Sequence, residues 1–199
     1  MEFWQRFTTR KQQGEWVELQ FMAEAARRRF GVNRPWADMG PYDIGVECGE
    51  NFLRVQVKGT TQQVGGGYRC QMRPKHRHRQ TYFPNKIDLF AAYAIPANAW
   101  YIIPAPIILA SGAARDIMIC PIAPPKKKAS YCYECYREAW ELLTQTRSDL
   151  ADFKRQSHTR DWRTGQSLPM STESGQPPLC SGIEYLAWQI PQRRMTRRH

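Results

Sequence analysis

Three side chains that can bind a metal ion or a phosphate lie within one short stretch, residues 40–60 (GPYDIGVECGENFLRVQVKGT). Asp43 supplies a carboxylate, Gln56 an amide and Lys58 an ammonium group. Carboxylate and amide oxygens suit a hard divalent cation, and a lysine charge suits a phosphate. The stretch therefore carries the groups needed for metal-assisted chemistry on a phosphate ester.

A β-hairpin would bring these three groups together. Residues 44–48 and 53–58 alternate apolar and polar side chains on either side of a turn-prone Gly-Glu-Asn. An alternation of period two gives each strand one apolar and one polar face. Asp43 falls on the polar face of the first strand, and Gln56 and Lys58 fall on that of the second. The alternation alone is equally typical of an ordinary half-exposed hairpin.

A helix is predicted upstream of the hairpin, from Gln13 to Phe30. Its predicted apolar stripe consists of Leu19, Met22, Ala23, Ala26 and Phe30. Glu18 lies at the edge of that stripe, about 100° from Leu19, and Glu15 projects more centrally. Either carboxylate could reach a cleft beside the core, and both could equally be ordinary acids on a helix surface.

The order of these residues resembles the PD-(D/E)XK nuclease superfamily, in particular its intron-associated homing endonucleases that carry Gln at the second acidic position. The matching residues are Gly14, Glu18, Asp43, Gln56 and Lys58, and the resemblance spans about residues 10–104. It favours Glu18 over Glu15, because this family places its helical Glu four residues after a Gly. It also implies an α/β, restriction-endonuclease-like core of order α-β-β-β-α-β, with a central mixed sheet flanked by helices.

The resemblance implies a magnesium-dependent endonuclease that hydrolyses phosphodiester bonds in double-stranded DNA, with Mn²⁺ as a possible substitute. Asp43 would be the main metal ligand, Glu18 a second carboxylate and the backbone carbonyl of Val57 a third ligand. Lys58 would orient the attacking water or stabilise the phosphorane. Gln56 departs from the acidic consensus, so either the homing-type variant is in use or catalysis is impaired. A junction resolvase and a non-catalytic DNA-binding protein on the same fold are the alternatives.

The net charge of +11 favours a partner rich in phosphate. Residues 1–60 are close to neutral, whereas residues 61–104 and 105–199 are each basic. A basic loop over residues 73–80 is predicted either to contact DNA or to be an ordinary solvated loop. The predicted DNA-binding side chains are Arg73, Lys75, Arg77, Arg79 and Lys86.

Downstream patterns complete the predicted core. Tyr68 to Met72 reads as a third strand, Asn85 to Ala94 as an apolar helix and Ala99 to Pro104 as a buried strand. The glycines at 65–67 lack the GxxxxGK[ST] pattern of a phosphate loop and are assigned to a hairpin tip.

Three regions are expected along the chain. Residues 1–104 form the nuclease-like core. Residues 105–154 form a basic, proline-rich segment with one short strand (Ile117 to Ile122) and a helix (Tyr131 to Phe153) that packs on the core. Residues 155–199 form a basic tail with little regular structure.

A zinc site is not expected. Cys132 and Cys135 form a lone CxxC, and Cys120, His158 and Cys180 are the nearest further ligands. Two thiols at this spacing on a helix are more often packing residues. The histidines at 76 and 78 lie in an arginine-rich loop, where metal binding is not expected either.

The chain is expected to be cytoplasmic, with free thiols. Its first residues contain no apolar signal-peptide core, and the apolar run at residues 99–110 is too short to span a bilayer. Because a cut through both DNA strands needs two active sites, we expect a homo-oligomer, a dimer or a tetramer.

Overall fold

The computed structural model describes residues 3–36, 40–72, 86–109, 116–122 and 133–156. Among these residues, the helices are α1 (Arg10–Arg27), α2 (Ala105–Leu109) and α3 (Arg147–Gln156). The strands are β1 (Gly31–Asn33), β2 (Ile44–Cys48), β3 (Asn51–Thr60), β4 (Gln63–Val64), β5 (Gly67–Cys70), β6 (Leu89–Ala94), β7 (Ala99–Pro104) and β8 (Ile117–Ile119).

A mixed sheet of five strands runs in the order β1-β2-β3-β6-β7. Only the β3–β6 pair within it is parallel, and the other pairs are antiparallel. A smaller sheet has the order β4-β5-β8. The hydroxyl of Thr60 donates to the carbonyl of Arg69 at 2.7 Å, which ties the end of β3 to β5. The small sheet is thereby anchored next to the end of the long central strand.

The two faces of the large sheet carry separate apolar clusters. One face packs under α1 and includes the inward residues of β2 and β3, together with Trp100, Trp140 and Leu150. The other face packs against β5 and β8 and includes Phe90 and Tyr101. The central strands are therefore covered on both sides.

The hairpin predicted over residues 44–58 is confirmed. β2 and β3 pair from Ile44↔Val55 to Cys48↔Asn51, and Gly49 adopts a φ of +60° in the two-residue turn between them. Glycine is favoured there because it lacks a Cβ. The turn at Gly65 and Gly66 also joins two paired strands, β4 and β5, as predicted.

Helix α1 begins earlier than predicted and buries a different face. Thr9 and Gln12 form a capping box, in which the Thr9 hydroxyl accepts the Gln12 N–H at 3.1 Å and the Gln12 side chain accepts the Thr9 N–H at 3.2 Å. The buried residues of α1 are Val17, Phe21 and Ala25. The predicted stripe is wrong, because Leu19 is 57% exposed. Apolar residues recur at helical spacing on both faces, and the sheet selects one of them.

The predicted helix from Asn85 to Ala94 is wrong over its described part. Leu89–Ala94 is strand β6, which lies between β3 and β7, and all six of its residues are buried. A strand covered on both faces needs no polar alternation, so its sequence reads as a continuous apolar run. The period of two that identified the hairpin is for this reason missing from β6.

The predicted continuous helix from Tyr131 to Phe153 is also wrong. Its described part contains two 3₁₀ turns, Glu134–Tyr136 and Trp140–Thr144, before α3 begins. Glu138 interrupts them with a φ of +50°, and its carboxylate accepts the Trp100 N–H and the Trp140 indole N–H, both at 2.8 Å. Contact with β7 therefore outweighs helix continuity.

The remaining predicted strands are confirmed within a few residues. The strand from Ala99 to Pro104 is β7, the strand near Tyr68 is β5, and the strand from Ile117 ends at Ile119. None of the helices that the structure describes has the length and apolarity that a membrane span requires.

Candidate active site

Asp43 is held at the start of β2 by the neighbouring strand β3. Its backbone N–H donates to the carbonyl of Val55 at 3.0 Å. One oxygen of its side chain, Oδ2, accepts the backbone N–H of Val57 at 2.8 Å and the side-chain amide of Gln56. The hairpin thus brings Asp43 into direct contact with Gln56 and Val57, which are distant from it in the sequence.

The Gln56 side chain donates to Asp43. A carboxylate can only accept hydrogen bonds, so the NH₂ end of the amide must face it. Gln56 is 6% exposed, although it lies on the polar face of its strand. Its role in this structure is therefore to orient a partly buried carboxylate, which an acidic residue at the same position could do only if protonated.

Lys58 lies two residues further along β3, on the same face as Gln56. Its charge acts on Cys70 of β5: burial raises the pKa of that thiol to about 12, and the nearby lysine opposes the rise. The ammonium group and the Asp43 carboxylate therefore belong to one side of the hairpin, as predicted from the alternation.

Glu18 lies on α1, the layer that packs on the apolar face of β3 opposite to Lys58. Val17 of α1 packs directly on Gly59, where a Cβ would lie 2.5 Å from the valine Cγ2. The missing side chain lets α1 approach β3 at the residue after Lys58. Glu18, the next residue of the helix, is therefore held at that level, where its carboxylate pairs with Arg34 at 3.0 Å.

The sequence suggested that Glu15 projects more centrally than Glu18, but the structure shows the opposite. Its side chain is 47% exposed and pairs at 3.8 Å with Lys11, which is on the same surface of α1. The side chain of Glu18 is 18% exposed. Glu18 is therefore the more buried of the two acids.

The predicted DNA-binding residues are mostly not described. Arg73, Lys75, Arg77 and Arg79 lie outside the described residues, as does Asp38, another possible ligand. Lys86 is described and exposed. Sequence reasoning missed Arg34, which belongs to no motif. A correct prediction of the short strand before it would have placed it beside β2.

The oxygens around Asp43 suit a hard divalent cation. Val57 donates its N–H towards Asp43, and in a strand the carbonyl of a residue points to the same edge as its N–H. The Asp43 carboxylate, the Val57 carbonyl and the Glu18 carboxylate are all oxygen donors of the kind that Mg²⁺ prefers. Across the described ranges, no group of three or more His, Cys, Asp and Glu side chains could hold a metal ion. A metal here would therefore need the backbone oxygen in addition to the two acids.

Two of the five residues considered for zinc are described by the structure. Cys120 is half-buried and Cys135 is exposed, and neither forms a disulfide bond within the described residues. The other three residues considered for zinc, Cys132, His158 and Cys180, lie outside the described residues.

Comparison with known proteins connects this geometry to a family. Residues 8–142 match the family model described as PD-(D/E)XK endonuclease. A solved structure of a bacterial homing endonuclease, I-Ssp6803I, is similar with a TM-score of 0.56 and 22% identity, over 76% of this chain and 100% of that chain. At that identity the likeness is one of fold. No curated protein matches the chain. The matches confirm the superfamily resemblance and the restriction-endonuclease-like α/β fold class drawn from the sequence.

Proposed function

The chain belongs to the PD-(D/E)XK endonuclease family, and from this premise we propose that it is a magnesium-dependent endonuclease that hydrolyses double-stranded DNA. The observation that carries the proposal is the Asp43 carboxylate, which Gln56 and Val57 hold at the start of β2. We further propose that the enzyme is of the homing type. The fold likeness to a homing endonuclease and the Gln at position 56 both support this.

Asp43, Glu18 and the Val57 carbonyl are the proposed metal ligands. When bound, a magnesium ion neutralises phosphate charge and lowers the pKa of a coordinated water; Mn²⁺ would substitute for it. Asp43 offers its second oxygen to the ion, because Oδ2 is already engaged by two donors. A carboxylate held in this way keeps its orientation without the ion.

Gln56 and Lys58 complete the proposed catalytic set. Gln56 fixes the Asp43 carboxylate by donating to it, instead of ligating the metal through its amide oxygen. Lys58 orients the attacking water or stabilises the charge that develops on the phosphorane. Both residues project from the same face of β3, so one rigid strand sets the distance between them.

Affinity for DNA is proposed to come from basic side chains outside the catalytic set. The net charge of +11 supports a polyanionic partner. The proposed contacts are Lys86, which is exposed, and the four basic residues between 73 and 79. We also propose that the protein is a dimer or tetramer and that it is located in the cytoplasm.

Nicking of supercoiled plasmid at low salt tests the proposal. The wild type is expected to nick in Mg²⁺ and not in EDTA, and Asp43→Ala and Lys58→Ala are expected to bind DNA without nicking it. Glu18→Gln should be strongly impaired, whereas Glu15→Gln, the matched acid on the exposed surface of α1, should retain activity.

Two outcomes would contradict the proposal. Equal nicking by the wild type and Asp43→Ala would remove Asp43 from the catalytic set. Plasmid that is retarded but intact with every protein, together with no Mg²⁺ binding by the wild type in calorimetry, would indicate a non-catalytic DNA-binding protein on a nuclease fold.

A further inference from the structure

Arg34 forms an ion pair with the Glu18 carboxylate, which we propose as a metal ligand. Its Nη2 lies 3.0 Å from Oε2 of Glu18. This guanidinium therefore places positive charge beside a carboxylate that a bound cation would also engage. A guanidinium in such a place is well suited to bind a phosphate, because its planar fork matches two phosphate oxygens.

The sheet register brings Arg34 to the same end of the site as Asp43. Strand β1 ends at Asn33, which pairs with Gly45, two residues from Asp43. The chain continues from there through Arg34 and passes the start of β2. Arg34 is therefore anchored by the sheet on one side and held by α1, through Glu18, on the other.

The ion pair is built so that it can exchange. The Arg34 side chain is 41% exposed, so solvent screens its attraction to Glu18. Pairs of this exposure add little to stability, and a divalent cation competes well for the same carboxylate. A metal bound at Glu18 would also repel the guanidinium by like charge.

We propose that Arg34 is a phosphate-binding residue of the active site that Glu18 holds until metal and DNA arrive. With a metal ion bound, Glu18 would hold the ion in place of the guanidinium, and Arg34 would pair with a backbone phosphate next to the site. This inference rests on the proposed metal-dependent function. It also predicts an order of events, because metal binding at Glu18 would release Arg34 to bind the DNA.

The first measurement is metal binding without DNA. Mn²⁺ titrated into Arg34→Ala in a calorimeter should bind about 3- to 10-fold more tightly than into the wild type, because the competing cation is gone. Arg34→Lys should stay close to the wild type, since it retains the charge. Arg27→Ala is the matched control, because it removes a similar arginine–glutamate pair, 2.7 Å long, from the far end of α1.

The second measurement is DNA binding in Ca²⁺, with a fluorescent duplex of about 30 base pairs and no reliance on cleavage. Arg34→Ala should bind more weakly, and the slope of log K against log salt should fall by about one phosphate contact. Arg34→Lys should be intermediate, because it keeps the charge but not the fork.

The outcomes separate this inference from the proposed function. If Asp43→Ala abolishes Mn²⁺ binding while Arg34→Ala matches Arg27→Ala in either measurement, the site stands and the role of Arg34 is refuted. If Asp43→Ala binds Mn²⁺ as the wild type does, the proposed metal site itself fails. Thermal melting of each variant establishes that the comparison is between folded proteins.

Discussion

At the residue scale, the site depends on one carboxylate that is partly buried and already hydrogen-bonded. Asp43 meets its two donors, the Gln56 amide and the Val57 N–H, without any metal. Gln56 therefore does what an acid at that position could not do at neutral pH. The departure from the acidic consensus is consistent with a preorganised site.

Gln56→Glu tests this role directly. The change would place a second carboxylate against Asp43 at a position that is 6% exposed, so the shared pKa of the pair would rise above the usual carboxyl range. The variant should match the wild type in stability at acid pH, where a proton is shared. It should lose about 1 to 3 kcal/mol as the pH rises through the raised pKa.

Thermal melting between pH 4 and pH 8 measures the effect, and added Mg²⁺ should restore part of the loss. Gln56→Ala serves as the control, because it removes the donor without adding a charge. Stability curves for Gln56→Glu and Gln56→Ala that run parallel with pH would contradict the role assigned here.

At the element scale, the spacing between α1 and β3 decides where Glu18 lies. The contact of Val17 with Gly59 sets that spacing, and a Cβ on the glycine would lie 2.5 Å from the valine side chain. Since Val17 is 1% exposed, it has no open side to move into. The glycine that follows Lys58 is therefore a positioning residue for the helical acid.

Gly59→Ala should push α1 away from the sheet. We expect a loss of roughly 1 to 3 kcal/mol in the free energy of unfolding from overpacking, with weaker Mn²⁺ binding because Glu18 moves with the helix. Val17→Ala should make room for the added methyl. The double variant should then be more stable than the sum of the two single effects, as chemical denaturation would show.

Additive effects of Gly59→Ala and Val17→Ala would show that the overpacking caused by Gly59→Ala does not act through Val17. Recovery of stability without recovery of Mn²⁺ binding would separate packing from the placement of Glu18.

At the scale of the whole molecule, a buried ion cluster connects α3 to the central sheet. Asp88 is 8% exposed and accepts from the Arg54 guanidinium at 2.9 Å through each of its oxygens. Arg147 at the start of α3 donates to the same carboxylate at 3.1 Å. Burial acts to raise the pKa of Asp88, but the hydrogen bonds and charge of Arg54 outweigh it, so the pKa is lowered.

Asp88→Asn should be destabilised by about 1 to 3 kcal/mol at neutral pH, because it leaves the half-buried Arg54 without its counter-charge. Because the folded pKa of Asp88 lies below its ordinary value of 3.8, its stabilisation is present above that pH. It is lost as the pH falls through the folded value. The gap between the wild type and the variant should therefore close in acid.

Urea unfolding at pH 7 and pH 3 would measure this gap. Asp116→Asn is the control, since Asp116 pairs with the half-exposed Arg69 and should change stability little. A gap of the same size at both pH values would refute the assignment to the ionised carboxylate.

The local pattern of the sequence was enough to predict the hairpin and the side on which its polar residues lie. One face of β2 and β3 packs under α1, and this leaves an alternation that predicted the strands and placed Asp43, Gln56 and Lys58 on a common side. Such a signal is local, because each residue reports only its own burial.

Other features of the fold depend on packing between elements and could not be predicted from local patterns. Strand β6 is covered on both faces, so its apolar run could equally have been a helix. The face of α1 that is buried depends on Gly59 of β3, which has no side chain and lets Val17 pack closely against the strand. Arg34 meets Glu18, and Asp88 meets Arg147, only because strands distant in the sequence set the register. Pairing across long separations leaves no periodic trace in the chain, and both of these contacts depend on such pairing.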